Sequence, residues 1–268
     1  MIELVDVIIS YRGHDALAIP EASFGNGKVT AVVGRNGSGK STLLRALAGI
    51  IPYRGSIRVD GDELSGIPHL ERARRTAYLP QTLSTPAMDV ATLVGHGRFS
   101  RLGPLRAMGA DDRSAVQRAM ELTDVWELRD RPVSELSGGE RQRAYLAMVV
   151  AQDAPMLLLD EPGAHLDVAH RRDVVRIMRR LADEGKGVVV ASHDLPETFA
   201  VCNEACVINR GTIGAWGDTG SIVENDGLLL DAMGVCVRRI EGDGLLFPYA
   251  LSDGDDTVGA AAADAARE

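Results

Sequence analysis

Gly34-Arg35-Asn36-Gly37-Ser38-Gly39-Lys40-Ser41-Thr42 follows directly on the β-branched run Val29 to Val33 and leads into helix formers from Lys40 to about Ala48. Gly49 and Pro52 then stop the helix. The stretch fits G-x-x-x-x-G-K-[ST] in the context that gives the pattern meaning, between a strand and a helix. The reason lies in the charge of a polyphosphate. Glycines let the backbone wrap its N–H groups around phosphate oxygens, and the following helix adds its positive end. Lys40 is placed to reach the β- and γ-phosphates, and the Ser41 hydroxyl to ligate Mg²⁺. Gly34, Arg35, Asn36, Gly37, Ser38, Gly39, Lys40, Ser41 and Thr42 are therefore the candidate nucleotide contacts. The pattern alone implies an NTPase or a kinase and no more.

Further along, Met156-Leu157-Leu158-Leu159 is an apolar strand that runs into Asp160-Glu161. Ligands of α/β sheets bind at the carboxyl ends of strands. Asp160 is thus a candidate Mg²⁺ ligand, acting through water, and Glu161 a candidate general base for an attacking water. Residues 1–33 read as short strands and turns. Ser56 to Val59 and Thr76 to Leu79 read as further strands. From Met88 to about Gln152 the pattern is mainly helical. Val168 to Ala182 forms a helix with Val174, Val175, Met178 and Leu181 on one face, and Val188 to Ala191 is another apolar strand. This alternation implies right-handed crossovers and a parallel sheet. From Ser252 the chain turns Asp-, Ala- and Gly-rich, and a poorly ordered tail is expected there.

Composition narrows the class. With 268 residues, 45% of them hydrophobic, the chain can bury a substantial core. Its formal net charge of −9 argues against a nucleic-acid partner, which would call for a basic face. Three cysteines do not make a disulfide framework, and the C-x3-C pair Cys202 and Cys206 lacks the second pair of a zinc site. No segment reaches the roughly 18 apolar residues that span a bilayer. The acidic start Met1-Ile2-Glu3-Leu4-Val5-Asp6 lacks the basic region of a signal peptide. A cytosolic chain is expected, held at any membrane by another polypeptide.

Leu136-Ser137-Gly138-Gly139-Glu140-Arg141-Gln142-Arg143 decides among the NTPases. It combines a Ser hydroxyl, glycine amides and a helix N-terminus, a second anion site. The stretch resembles the signature sequence of ABC ATPases, and the chain is identified as a member of that family over roughly residues 1–250. The resemblance implies that Ser137, Gly138, Gly139 and Glu140 face ATP held by a second ATPase subunit, an identical copy. Tyr11 resembles the aromatic that stacks on adenine. Gln81, after Tyr78-Leu79-Pro80, resembles the glutamine that contacts Mg²⁺ and senses the membrane partner. Asp167 resembles the D-loop aspartate linking the two sites, and His193 the switch histidine on the γ-phosphate. The five other histidines form no ligand cluster. The chain departs from the family pattern at Gly163, where Thr or Ser usually follows Glu-Pro. The lost hydroxyl and the permissive glycine point to a looser D-loop.

Softer matches narrow the family. The stretch from Met88 to Phe99, including Gly97-Arg98, resembles importers of iron–siderophores, haem and vitamin B12. So do Ala151-Gln152-Asp153-Ala154-Pro155 and Met233-Gly234-Val235-Cys236-Val237. The expected fold is α/β: a RecA-like P-loop core at 1–83 and 156–240 with an antiparallel β flank, a helical subdomain at 84–155, a short extension at 241–250 and a tail at 251–268. The resemblance further implies integral-membrane permease partners, an extracytoplasmic substrate-binding protein behind them, and a place on the cytoplasmic face of the membrane. The rival reading is a soluble ABC ATPase, such as one for iron–sulfur cluster assembly. The long coiled coil of repair types and the paired cassettes of translation types are both missing from the sequence.

Overall fold

The computed structural model describes residues 1–11, 14–102, 107–164, 166–240 and 249–252. In chain order the strands are β1 (Ile2–Tyr11), β2 (His14–Phe24), β3 (Val29–Val33), β4 (Arg54–Val59), β5 (Asp62–Glu63), β6 (Thr76–Leu79), β7 (Met156–Asp160), β8 (Gly187–Ala191), β9 (Glu204–Asn209), β10 (Thr212–Asp218), β11 (Cys236–Arg239) and β12 (Tyr249–Ser252). The helices are α1 (Lys40–Leu47), α2 (His69–Arg75), α3 (Val90–Gly95), α4 (Ala110–Leu122), α5 (Gly138–Ala151), α6 (Val168–Asp183), α7 (Leu195–Phe199), α8 (Thr219–Val223) and α9 (Asp226–Met233).

Among the described residues one sheet runs β5-β4-β1-β2-β10-β9-β3-β8-β7-β6. Its β9-β3-β8-β7-β6 half is parallel throughout, and β5-β4-β1-β2 is antiparallel. This is the P-loop core with an antiparallel flank. The central strands β3, β7 and β8 are buried along their whole length, which is why they read as unbroken apolar runs. Their side chains alternate between faces. Leu157, Leu159, Val188 and Val190 join one hydrophobic cluster with Val90, Val94, Met120, Ala144 and Leu146 of the helical stretch. Leu158, Val189 and Ala191 join another with Leu43, Leu44 and Leu47 of α1. The helical stretch thus shares a core with one sheet face, while α1 seals the other behind the glycine loop.

The residues that carried the softer matches hold this packing together. Arg98 donates through Nε and Nη2 to Asp112 Oδ1 at 3.1 and 3.0 Å, and through Nη1 to the Ala151 carbonyl at 2.9 Å. Both side chains of this pair are about nine-tenths buried. A Cβ on Gly97 would collide with the Met148 carbonyl, so α5 passes against bare backbone there. Gln152 donates from Nε2 to the Ala73 and Thr76 carbonyls at 2.6 and 3.0 Å, tying the end of α5 to the start of β6. Arg98→Ala is therefore expected to destabilise the fold by about 3 kcal/mol, since Asp112 loses its guanidinium inside the protein. Urea unfolding checks this, and a loss under about 1 kcal/mol, the range of exposed ion pairs, would contradict it.

The tail expected from residue 251 starts inside a strand. Leu251 and Ser252 belong to β12, which pairs with β11 from Cys236↔Ser252 to Arg239↔Tyr249. Residues 253–268 of that tail, and 241–248 of the expected extension, lie outside the described residues. Among the described residues no helix is long and apolar enough to cross a membrane.

Candidate functional site

Four neighbouring parallel strands deliver the candidate residues to one edge of the sheet. In the order β3-β8-β7-β6, their carboxyl ends lead into Gly34–Thr42, Ser192-His193, Asp160-Glu161 and Gln81. There they line a cleft of about 530 Å³ that includes Asn36, Gly37, Lys40, Ser41, Glu161 and His193, with Gly39, Thr42 and Gln81 also on its wall. The loop's shape depends on its glycines. Gly39, the N-cap of α1, has φ 111°, and a Cβ on it would lie 2.7 Å from two carbons of the Leu17 side chain beneath. The Ser38 N–H donates to the Arg35 carbonyl at 3.0 Å, closing a turn in the loop. The first-turn N–H groups of α1 have no intrahelical acceptor and point along the helix dipole, and no acidic side chain in that turn opposes an anion.

Lys40 is 6% exposed and donates from Nζ to the Gly34 and Arg35 carbonyls at 2.7 and 3.1 Å. Burial pushes its ammonium below the usual lysine range, and the carboxylates of Glu161 and Asp160 pull it back up. The Ser41 hydroxyl donates to Asp160 Oδ1 at 2.9 Å, and the Tyr78 hydroxyl to Asp160 Oδ2 at 3.3 Å. Asp160 is fully buried, and that burial pushes its carboxyl above the usual range against these two hydrogen bonds. The Ser41 hydroxyl and Asp160 carboxylate form an all-oxygen pair suited to Mg²⁺, which keeps several waters and takes its other ligands from phosphates. Among the described residues no group of three or more His, Cys, Asp or Glu could hold a metal ion.

Glu161 has φ 53°, a left-handed backbone that costs a non-glycine residue about 1 kcal/mol. Its N–H donates to the Ala191 carbonyl at 2.9 Å, which fixes the turn. His193 Nδ1 lies 2.9 Å from Glu161 Oε2, with the imidazole largely exposed and the carboxylate mostly covered. The expected base and switch histidine are thus in contact, because β7 and β8 are neighbours.

The signature stretch behaves differently. Ser137 caps α5: its Oγ accepts from the Glu140 N–H at 3.2 Å, and its own N–H donates to Glu140 Oε2 at 2.8 Å. That N–H holds the Glu140 carboxyl below the usual range, helped by the Ser137 hydroxyl. Ser137 and Gly138 are exposed, and none of Ser137, Gly138, Gly139 and Glu140 lines this cleft. Asp167 caps α6, accepting from the His170 N–H at 2.9 Å, and is likewise exposed. Arg35 and Ser38 line a separate hollow beside α9 with Asn209, Arg210 and Asp231. Tyr11 ends β1, but its side chain lies outside the described residues. Gly163 does not use the left-handed region, and a side chain there would meet the Arg171 stem at ordinary contact distance. Two neighbours escaped the sequence reading. Tyr78 reaches Asp160 from the adjacent strand, and Leu17 packs under Gly39 from β2. Both depend on strand adjacency, for which an isolated Tyr or Leu carries no signal.

Residues 19–164 match the family model described as ABC transporter. The chain is 45% identical over 199 residues to a hemin import ATP-binding protein of Streptomyces coelicolor, covering 73% of this chain and 70% of that one. It is 39% identical over 229 residues to a cobalamin import ATP-binding protein of Halobacterium salinarum, covering 84% of this chain. The match spans only 57% of that relative's own length. A chain in an inward-facing structure of a "metal-chelate type ABC transporter" superposes with a TM-score of 0.79 at 23% identity, covering 94% of this chain and 96% of that one, a likeness of fold.

Proposed function

The chain belongs to the ABC transporter family of ATP-binding cassettes, and on that premise we propose that it is the ATP-hydrolysing subunit of an importer for an iron chelate, haem or a corrinoid. One observation carries the enzymatic part: the glycine loop, Ser41 and the Glu161–His193 pair open into a single cleft, with Asp160 buried behind Ser41 and bonded to it. The reading takes the chain as one cassette, with core 1–83 and 156–240 and a helical subdomain 84–155.

In the proposed cycle the loop N–H groups and the α1 N-terminus receive the phosphates of ATP. Lys40 leaves the Gly34 and Arg35 carbonyls for the β- and γ-phosphates, a move favoured because its burial leaves the ammonium poorly solvated. Ser41 and Asp160 would hold Mg²⁺, which would neutralise charge on the phosphate oxygens. Glu161 takes the proton of a water whose oxygen attacks the γ-phosphorus, and the bond to the β-phosphate oxygen breaks to leave ADP and phosphate. His193 turns from Glu161 toward the γ-phosphate, and Gln81, on the cleft wall, reports that state toward the membrane subunits. Ser137 and the Gly138 and Gly139 amides close the site of a second, identical copy, since they stand outside their own chain's cleft. Permease subunits hold the pair at the cytoplasmic face of the membrane.

The cargo follows from what the relatives import and from the sequence resemblance around Arg98 and Gly234. Deleting the gene and following uptake of a labelled ferric siderophore, haem and cobalamin tests it. Loss of uptake of one of these is expected. Unchanged uptake of all three, with loss of another solute, would contradict the cargo class and leave the ATPase reading standing.

A further inference from the structure

Beside the candidate cleft, Arg171 is bonded to the segment that carries His193 and runs alongside the one that carries Glu161. It lies in the first turn of α6, four residues after Asp167, and its N–H donates to the Asp167 carbonyl at 2.9 Å. Its Nη1 donates to Asp194 Oδ2 at 2.7 Å and pairs with Glu197 Oε1 at 2.7 Å. Asp194 directly follows His193, and Glu197 stands in α7. Asp194 is itself anchored: its N–H donates to Ser192 Oγ at 3.0 Å, and its carbonyl accepts from the Thr198 N–H and hydroxyl at 3.1 and 2.6 Å. At the other end, the Arg171 stem carbons lie 3.6 and 3.7 Å from where a Cβ on Gly163 would stand, two residues after Glu161. Burial raises the Glu197 carboxyl above its usual range, with Asp194 adding to the rise and Arg171 opposing it. Two neighbouring carboxylates repel unless a cation lies between them, and the guanidinium takes that place.

We propose that Arg171 is a positioning residue for hydrolysis, holding His193 against Glu161 and coupling the start of α6 to both. This rests on the proposed ATPase function of the same cleft. Without the guanidinium, Asp194 and Glu197 push apart and the segment after β8 shifts. His193 then sits in a range of positions instead of one, and the barrier rises because aligned groups lose their alignment. Lys40 and Ser41 lie on the glycine loop and α1, and Asp160 lies within β7, fully buried, so these nucleotide contacts keep their geometry.

The test measures phosphate release and ATP affinity on the full chain for Arg171→Ala, Arg171→Lys, His193→Ala and the Arg171→Ala/His193→Ala pair. Arg171→Ala should lower kcat about 10- to 100-fold with ATP affinity within about twofold of the parent. Arg171→Lys, which keeps a cation between the carboxylates, should recover most of the rate. The double variant should be no slower than His193→Ala alone, because Arg171 acts through His193. Should Arg171→Ala not fold, Asp194→Ala removes the acceptor through which Arg171 holds the residue after His193 and should show the same non-additivity with His193→Ala. A parent kcat in Arg171→Ala, losses that add in the double variant, or affinity falling as far as the rate would overturn the proposal. If the parent's phosphate release does not depend on Lys40, the functional reading itself fails and takes this role with it. A Lys40-dependent parent rate that ignores Arg171 sinks the positioning role alone.

Discussion

Replacing Lys40 with Ala drops phosphate release at least about 100-fold, to background, while the fold survives. The rate effect follows from charge: a buried cation acting on the transferring phosphoryl group in a cleft of low dielectric is worth several kcal/mol. The stability effect follows from the same burial. Lys40 donates to the Gly34 and Arg35 carbonyls, and losing those bonds costs about 1–3 kcal/mol. Burial that lowers its pKa also means the folded state bears a desolvation cost, which the alanine removes. The two oppose each other, so the unfolding midpoint should stay within a few degrees of the parent. Phosphate release measured beside thermal unfolding separates them. Near-parent hydrolysis without Lys40 would mean that the glycine loop is not the ATP site.

How much of this was legible in the sequence depends on how local the cause is. The glycine loop was legible because phosphate binding demands glycines and a lysine at fixed spacing, and Gly39 shows why: no side chain fits over Leu17. The strand into Asp160 was legible because β7 is buried on both faces. The order β3-β8-β7-β6 was not, since parallel neighbours are set by long crossovers, and with it went the contact of His193 with Glu161 and of Tyr78 with Asp160. Gly97, Arg98 and Gln152 were legible as a subfamily pattern but not for their physical purpose, which is to tie α5 to its neighbours. The β11–β12 pair joins residues on either side of a stretch with no strong pattern, and only its last two residues, Leu251 and Ser252, fall within the expected tail. Gly163 read as a source of looseness, yet the left-handed backbone belongs to Glu161.

Glu161→Gln is the second large effect. The amide matches the carboxylate in size, so the turn after β7 keeps its shape, but it cannot accept the water's proton. Hydrolysis should fall about 100- to 10,000-fold, the range a general base contributes. ATP binding should persist, because the loop, Lys40, Ser41 and Asp160 are untouched. Removing a negative charge beside the γ-phosphate should even tighten it. The cycle then stalls with nucleotide bound. If Ser137 and its helix start close the cleft of a second copy, as proposed, the stalled state is expected to accumulate as a dimer. Hydrolysis by Glu161→Gln at the parent rate would remove Glu161 from the role of base.

The central claim, that each ATP is enclosed by Lys40 and Glu161 of one chain and Ser137 and Gly139 of another, is tested most directly by light-scattering mass. Glu161→Gln with ATP and Mg²⁺ should run at twice the chain mass of 28.6 kDa. Adding Ser137→Arg, which puts bulk and positive charge at the exposed start of α5, should return it to the single-chain mass with ATP still bound. An ATP-driven dimer that survives Ser137→Arg would contradict the account, because the signature stretch would then not act across the interface.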